Sequence, residues 1–269
     1  MATPSTESYG ELVDSIAKLQ VLLGLISTLP IERPSLYIDL EGVALGRHGT
    51  LSILSLYVAP TKETYLIDIH TLGAVAFTTT NNGISLKSIL ESGTIPKVFF
   101  DIRNDSDALF SLFQISVRGV VDLQLMELAS RKGSRKFVSG LAKCIGRDLQ
   151  ISPAQQTQWR VTKERGVQLF APETGGRYEV FNERPLKPEI IRYCQQDVAL
   201  LPILYNVYNA KLKADGEAFW QSEERVRQSQ SASYDGKSKD KAFGWDQESI
   251  TRWTDDWNED IMMEAMHGS

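Results

Sequence analysis

Asp39 and Glu41 sit two positions apart in SLYIDLEG (35–42), an otherwise apolar, strand-like run. Strand side chains alternate faces, so residues i and i+2 share one and these two carboxylates crowd together. Withdrawn from water, such a pair repels and resists ionising unless something cationic holds it, and a divalent metal ion is one candidate. The competing reading puts both past the strand's end in solvated loop, with Gly42 starting a turn, and the octapeptide alone favours it. Two further sets of acids bear on the choice. Tyr193 and Asp197 lie four apart in KPEIIRYCQQDVALLPILYNVYNAKL (187–212), a strongly helical stretch, and so share one helix face. That spacing is also common at an ordinary amphipathic boundary. FFDIRNDSDALF (99–110) holds Asp101, Asp105 and Asp107, with Asp105 or Ser106 near a helix N-cap, an ordinary place for an acid.

The elements that must carry these residues are legible from periodicity. Leu12, Ile16, Leu19, Leu22, Leu23 and Ile26 recur at helical spacing over 8–28. Strand-like runs follow at 35–42, 51–59 and 64–70, and the turn-rich APTKE between the last two predicts consecutive antiparallel strands. A helix is expected over 85–92, a short buried strand with Phe99 and Phe100 in the core over 95–101, and an amphipathic helix over 105–115. Residues 117–131 begin as strand and continue as helix, 138–146 is a further helix, and 152–185 is polar and irregular. Helix 187–212 starts well with Pro188 and is kinked at Pro202. Strands first and helices alternating later predict an α/β fold, a mixed sheet flanked by helices on both faces. The organisation is an N-terminal helical extension (1–33), a main domain (34–220), a Ser- and charge-rich linker (221–242) and an acidic, Trp-containing segment (243–269).

Composition narrows the function classes. The 269 residues are 42% hydrophobic, enough for a sizeable core, and no apolar run reaches the roughly 20 residues of a membrane span. The apolar run VLLGLISTLP (21–30) lacks a basic leader and is not read as a signal peptide. Cys144 and Cys194 form neither a metal-type spacing nor a disulfide framework, which fits a reducing compartment, cytoplasmic or nuclear. His is confined to His48, His70 and His267, so a His-based triad or zinc site has little support. The net charge of −5 is unevenly spread. Residues 131–147 carry six basic side chains and no acid, whereas 246–264 carry seven acids against Arg252.

The order of the acids is more specific than any one of them. D-x-E on the first core strand, an Asp at a strand-to-helix junction some 60 residues later and Y-x-x-x-D on a late helix resemble the three motifs of the DEDD exonuclease superfamily. The Tyr of the last motif points to its DEDDy branch. DSDALFSLFQISVRGVVDL (105–123) resembles the second-motif region of RNase D and the Werner exonuclease domain, and counting back from Asp122-Leu123 selects Asp105 over Asp101 and Asp107. SGLAK (139–143), Trp159 and ERPLKPEIIRYCQQDVALL (183–201) resemble the RNase D helix, Trp loop and final motif. The likeness spans roughly 34–212 and is nearest in flavour to the Egalitarian-like 3′–5′ exonuclease-domain proteins. Residues 160–182 depart from it, being longer and more Gly-rich than the RNase D loop, and the HRDC domains of RNase D have no counterpart.

That resemblance implies an RNase H-like fold and a 3′–5′ exonuclease releasing nucleoside 5′-monophosphates from RNA or DNA with two divalent ions, Mg²⁺ or Mn²⁺. It implies that Asp39 bridges both ions, that Glu41 and Asp197 complete the nucleophile side, that Asp105 holds the other ion through water, and that Tyr193 orients the attacking water. Leu40, Gly42 and Val43 flank the position of the terminal nucleotide, and Gly42 permits close approach. For the strand itself, Arg131, Lys132, Arg135 and Lys136, with Arg160, Lys163 and Arg165, are candidates to track phosphates. Trp159 stacks a base or packs in the core. The acidic C-terminal segment is a candidate contact for a protein partner. The rival function on the same fold is a catalytically silent nucleic-acid adapter, since fold does not guarantee chemistry. An adapter is free to lose ligands; here all four acids and the Tyr are present.

Overall fold

The structure is a computed structural model that describes residues 11–212 and 219–244. Its centre is a six-stranded sheet: β1 (Glu11–Val13), β2 (Leu36–Glu41), β3 (Ile53–Val58), β4 (Glu63–Asp68), β5 (Lys97–Phe99) and β6 (Val120–Asp122), in the order β1-β4-β3-β2-β5-β6. The expected meander is present, with β2–β3 and β3–β4 antiparallel, while β5 and β6 extend the sheet in parallel from β2. Eight helices of eight residues or more flank it among the described residues: α1 (Ile16–Ile26), α2 (Arg103–Phe113), α3 (Leu123–Ser130), α4 (Leu141–Asp148), α5 (Pro153–Phe170), α6 (Pro188–Ala199), α7 (Leu201–Leu212) and α8 (Phe219–Ser229). None of them is long and apolar enough to cross a membrane.

Strand alternation divides β2 between two cores. Leu36, Ile38 and Leu40 face a cluster with Leu19, Leu23, Leu54, Leu56 and Leu109. Tyr37 faces the opposite layer, where Trp159, Val198, Leu204 and Tyr208 pack on Val98 and Val121. Ile53 and Leu66 continue that face beneath Ile190, Tyr193 and Cys194 of α6. Asp39 and Glu41 share the Tyr37 face, opposite Ser55 and Ile53 in the ladder, so both lie within the strand and not beyond its end.

Several expectations are corrected. The run read as one helix over 8–28 contains β1, which pairs in parallel with β4, before α1 starts behind the Ser15 N-cap. From residue 11 onward the N-terminal part therefore belongs to the main sheet and is no separate extension. Residues 152–185, expected to be irregular, open with the 18-residue α5. The Ser152–Gln155 capping box and Pro153 in the first turn define its start. The 187–212 helix is two helices, and Pro202 occupies the first turn of α7, where a missing N–H costs nothing.

The expected linker at 221–242 is the largest departure. Most of its first part is α8, which packs on α2 and β6 with Ser222, Arg225, Val226 and Ser229 buried. Arg225 pairs with buried Asp122 at 2.7 Å, and the Asp122 amide donates to the Ser222 hydroxyl at 3.0 Å. Residues 230–244 then run back over the body to an antiparallel bridge between Phe243 and Phe137. The acidic segment expected beyond Phe243 lies outside the described residues from 245 on.

Candidate active site

Helix α6 lies across β2, β3 and β4 and brings Tyr193 and Asp197 over the acidic pair of β2. One carboxylate oxygen from each of Asp39, Glu41 and Asp197 lies within 4.8 Å of the others. Burial, then Asp197, pushes the Asp39 carboxyl up to about 7, and burial, then Asp39 and Asp197, pushes Glu41 well above its ordinary range. Burial and the same three carboxylates also raise the Tyr193 phenol.

The counter-charge inside the site comes from α5. The Lys163 ammonium pairs with Asp197, donates to the Tyr193 hydroxyl at 3.1 Å and stands 4.4 Å from the centre of its ring. Burial opposes a charge on Lys163, but Asp197, with Glu41 and Asp39 behind it, outweighs burial and holds the ammonium above its usual range. Reach of this kind requires α5 and α6 to approach closely. Gly166 permits it: a Cβ there would lie 2.5 Å from Cδ2 of Tyr193. The sequence alone put Lys163 among backbone-tracking cations, because α5 was not recognised as a helix one layer above the acids.

The three acids of the second motif separate by their partners. Asp101 is bonded by Arg103, and Asp107 takes the Arg47 guanidinium at 2.8 Å and the Arg47 amide at 2.8 Å. Asp105, 6% exposed, has no hydrogen bond or ion pair among the described residues. Burial raises it first, then Asp39, Asp101 and Glu41, against a lowering influence from Lys241. It stands in the first turn of α2, which starts at Arg103, and is not the N-cap expected for it. Asp105 is outside the tight group of three oxygens yet feels the same negative field.

The donor set suits a hard divalent cation. It consists of carboxylate oxygens, repulsive when empty, and Asp197 Oδ1 is buried without any hydrogen-bond partner. Asp39, Glu41 and Asp197 are the residues that could hold such an ion together.

The other candidates are distributed unevenly. Leu40 points into the core at 3% exposure, so its side chain cannot meet a nucleotide. Gly42 lines the cleft beside Glu41, but its missing side chain serves the chain itself: a Cβ would meet the Thr50 carbonyl at 1.9 Å. Trp159 is buried among Ile145, Leu201 and Tyr208, which excludes base stacking. Arg131 is engaged by Glu127, Ser139 and the carbonyls of Ser134 and Phe137, and Arg135 donates to the Ala129 carbonyl. Lys132 and Lys136 are exposed, and Arg160 is exposed beside Glu164. Arg131, Lys132 and Arg135 border a second cleft that shares no residue with the one at Glu41. Much of the basic run 131–147 thus ties its own loop together.

A family profile described as 3′–5′ exonuclease matches residues 13–213. The chain belongs to the DEDDy 3′–5′ exonuclease superfamily. Solved structures share the exonuclease fold at low identity. RNase D of Trypanosoma brucei in complex with RNA U12 aligns at TM-score 0.68 and 20% identity, covering 91% of this chain and 79% of its own. The catalytic core of RRP6 from the same organism, as a C496S mutant, gives 0.57 and 16%, covering 80% and 52%. Brucella melitensis NrnC bound to pGG gives 0.51 and 17%, covering 78% and 95%. No curated protein gives a significant sequence match.

Proposed function

We propose that this 3′–5′ exonuclease uses Mg²⁺ or Mn²⁺ held by Asp39, Glu41, Asp105 and Asp197 to release nucleoside 5′-monophosphates from the 3′ end of single-stranded RNA or DNA. One observation carries the reading: carboxylates from a central strand and a helix meet within 4.8 Å, with Tyr193 one helical turn before Asp197. When bound, divalent ions supply charge neutralisation at the phosphate and a more acidic attacking water. Tyr193 orients that water. Its phenol is raised by burial and by Glu41, so it remains protonated near neutral pH and positions the water without deprotonating it. Lys163 keeps Asp197 and Tyr193 in register and places a positive charge beside the position of the phosphate. In the reaction, water adds to the terminal phosphorus, the bond to the preceding 3′ oxygen breaks, and that oxygen takes a proton. RNA is the first substrate to test, because the RNase D that shares this fold was solved with RNA U12. Free, buried Cys144 and Cys194 support a reducing compartment.

The test is trimming of 5′-labelled RNA and DNA oligomers with Mg²⁺, Mn²⁺ or EDTA, beside Asp39→Ala. A ladder shortening from the 3′ end, lost with EDTA and in the variant, is the expected result. Binding without trimming under every metal would move the chain to the adapter class.

A further inference from the structure

The stretch after α8 lies against the catalytic centre. A cleft of about 710 Å³ begins at Glu41 and is walled by the 42–48 loop, Asn104 and Asp107 of α2, Tyr178 and Phe181, and residues Tyr234–Lys237. This last wall has a built seat. The Arg47 guanidinium, fixed by Asp107, donates to the carbonyls of Ser229, Ser231 and Ala232 at 3.1, 2.8 and 3.3 Å. A cation at those carbonyls also complements the C-terminal end of α8. The Tyr234 hydroxyl donates to Asn104 Oδ1 at 2.8 Å, and its ring lies 5.7 Å from the Arg47 guanidinium. Gly236 passes so close that a Cβ would stand 2.8 Å from Asn104 Oδ1.

These bonds seat the backbone that carries two kinds of side chain along the cleft beginning at Glu41. Tyr234 offers an aromatic ring to the cleft. Lys237 is exposed, and among the described residues its ammonium has neither a hydrogen bond nor an ion pair. Arg47, the cleft's other lysine or arginine, is engaged with Asp107 and backbone carbonyls. Single-stranded nucleic acid is bound by aromatic faces that take bases and cations that take phosphates.

We propose that the C-terminal strap, residues 230–244, is a substrate-binding wall in which Tyr234 stacks a base and Lys237 neutralises a phosphate of the nucleotide next to the scissile bond. The inference rests on the exonuclease reading of the adjacent acids. It assigns part of substrate recognition to residues beyond the 213 boundary of the family match.

The test uses the full chain and a 5′-fluorescein single-stranded RNA oligomer. Binding is read by anisotropy in Ca²⁺ at several KCl concentrations, and trimming is read separately in Mg²⁺ or Mn²⁺. Lys237→Ala is expected to shrink the slope of log K against log salt by about 0.7, the contribution of one single-strand phosphate. Tyr234→Ala is expected to weaken binding about tenfold to a hundredfold, while Tyr234→Phe stays within about twofold of the parent. KM follows the affinity and kcat is retained, a split that a merely structural strap would not produce. Unchanged affinity and salt slope in Lys237→Ala and Tyr234→Ala overturn the proposal, as does a parent chain that binds no oligomer. A parent that binds through these residues but trims nothing supports the wall and overturns the exonuclease reading instead.

Discussion

Removing one charge from the acidic cluster should stabilise the metal-free protein while destroying its activity. Asp39→Asn keeps the side-chain shape and removes the charge. In the parent, burial and then Asp197 raise the Asp39 carboxyl from its ordinary 3.8 to about 7, with Lys163 partly offsetting them. The folded chain therefore binds an extra proton between about pH 4 and pH 7, and its stability falls as pH rises through that window. Three units at about 1.4 kcal/mol each set an upper bound near 4 kcal/mol. Because Asp39 and Glu41 share the interaction, about 2–4 kcal/mol is expected at pH 8. Urea unfolding of parent and variant in EDTA measures it directly. Asp39→Asn should be the more stable at pH 8, the advantage should vanish near pH 4, and Mg²⁺ should raise the parent at pH 8 more than the variant. A variant that is equally or less stable at pH 8, or an advantage independent of pH, would refute the reasoning.

Four other perturbations test separate parts of the argument. Lys97 is fully buried, and burial, then Arg118, lowers it from 10.5 to about 7, so the unfolded chain binds more protons above pH 7 and stability should rise toward pH 10. Lys97→Met, compared with the parent by denaturation at pH 6, 8 and 10, should lose that rise, worth on the order of 3–5 kcal/mol. Tyr193→Phe, which loses the hydroxyl that positions the water, should lower kcat about 10²-fold with little change in KM, read in steady-state trimming assays. Gly166→Ala would gain about 1 kcal/mol in an ordinary helix, but the Cβ meets the Tyr193 ring, so a loss of about 1–3 kcal/mol in urea unfolding is expected. Arg225→Ala leaves Asp122 charged and buried, and should cost about 3–5 kcal/mol in the same measurement.

The parts of the site that follow short-range rules were readable in the chain. Alternation along β2 placed Asp39 and Glu41 on one face, and helical spacing stacked Tyr193 one turn before Asp197. The choice of Asp105 came from likeness to a family, and the structure adds a physical distinction, since Asp101 and Asp107 have arginine partners. Long-range relations were not readable. Nothing local announces that Lys163 crosses to Asp197 from another helix, although the Ser152–Gln155 capping box with Pro153 marked where that helix begins. Leu40 was assigned to a nucleotide by proximity in sequence, against the alternation that points it into the core. Helix α8 escaped notice because it is anchored by buried polar bonds of Ser222 and Arg225, which an apolar periodicity does not register.

Helix α8 also bears on how this sheet ends. β6 is an edge strand, a place where unpaired amides can recruit a strand from another chain. Its Asp122 amide is instead taken by the Ser222 hydroxyl, and its carboxylate by Arg225, so the edge is closed by side chains from a helix that follows the family-matched region. A chain shortened to residue 213 would keep every proposed metal ligand and Tyr193 but expose that edge together with a buried charge. Self-association, visible by light scattering, is the expected behaviour of such a fragment, and it would mimic loss of catalytic residues in any assay of activity alone.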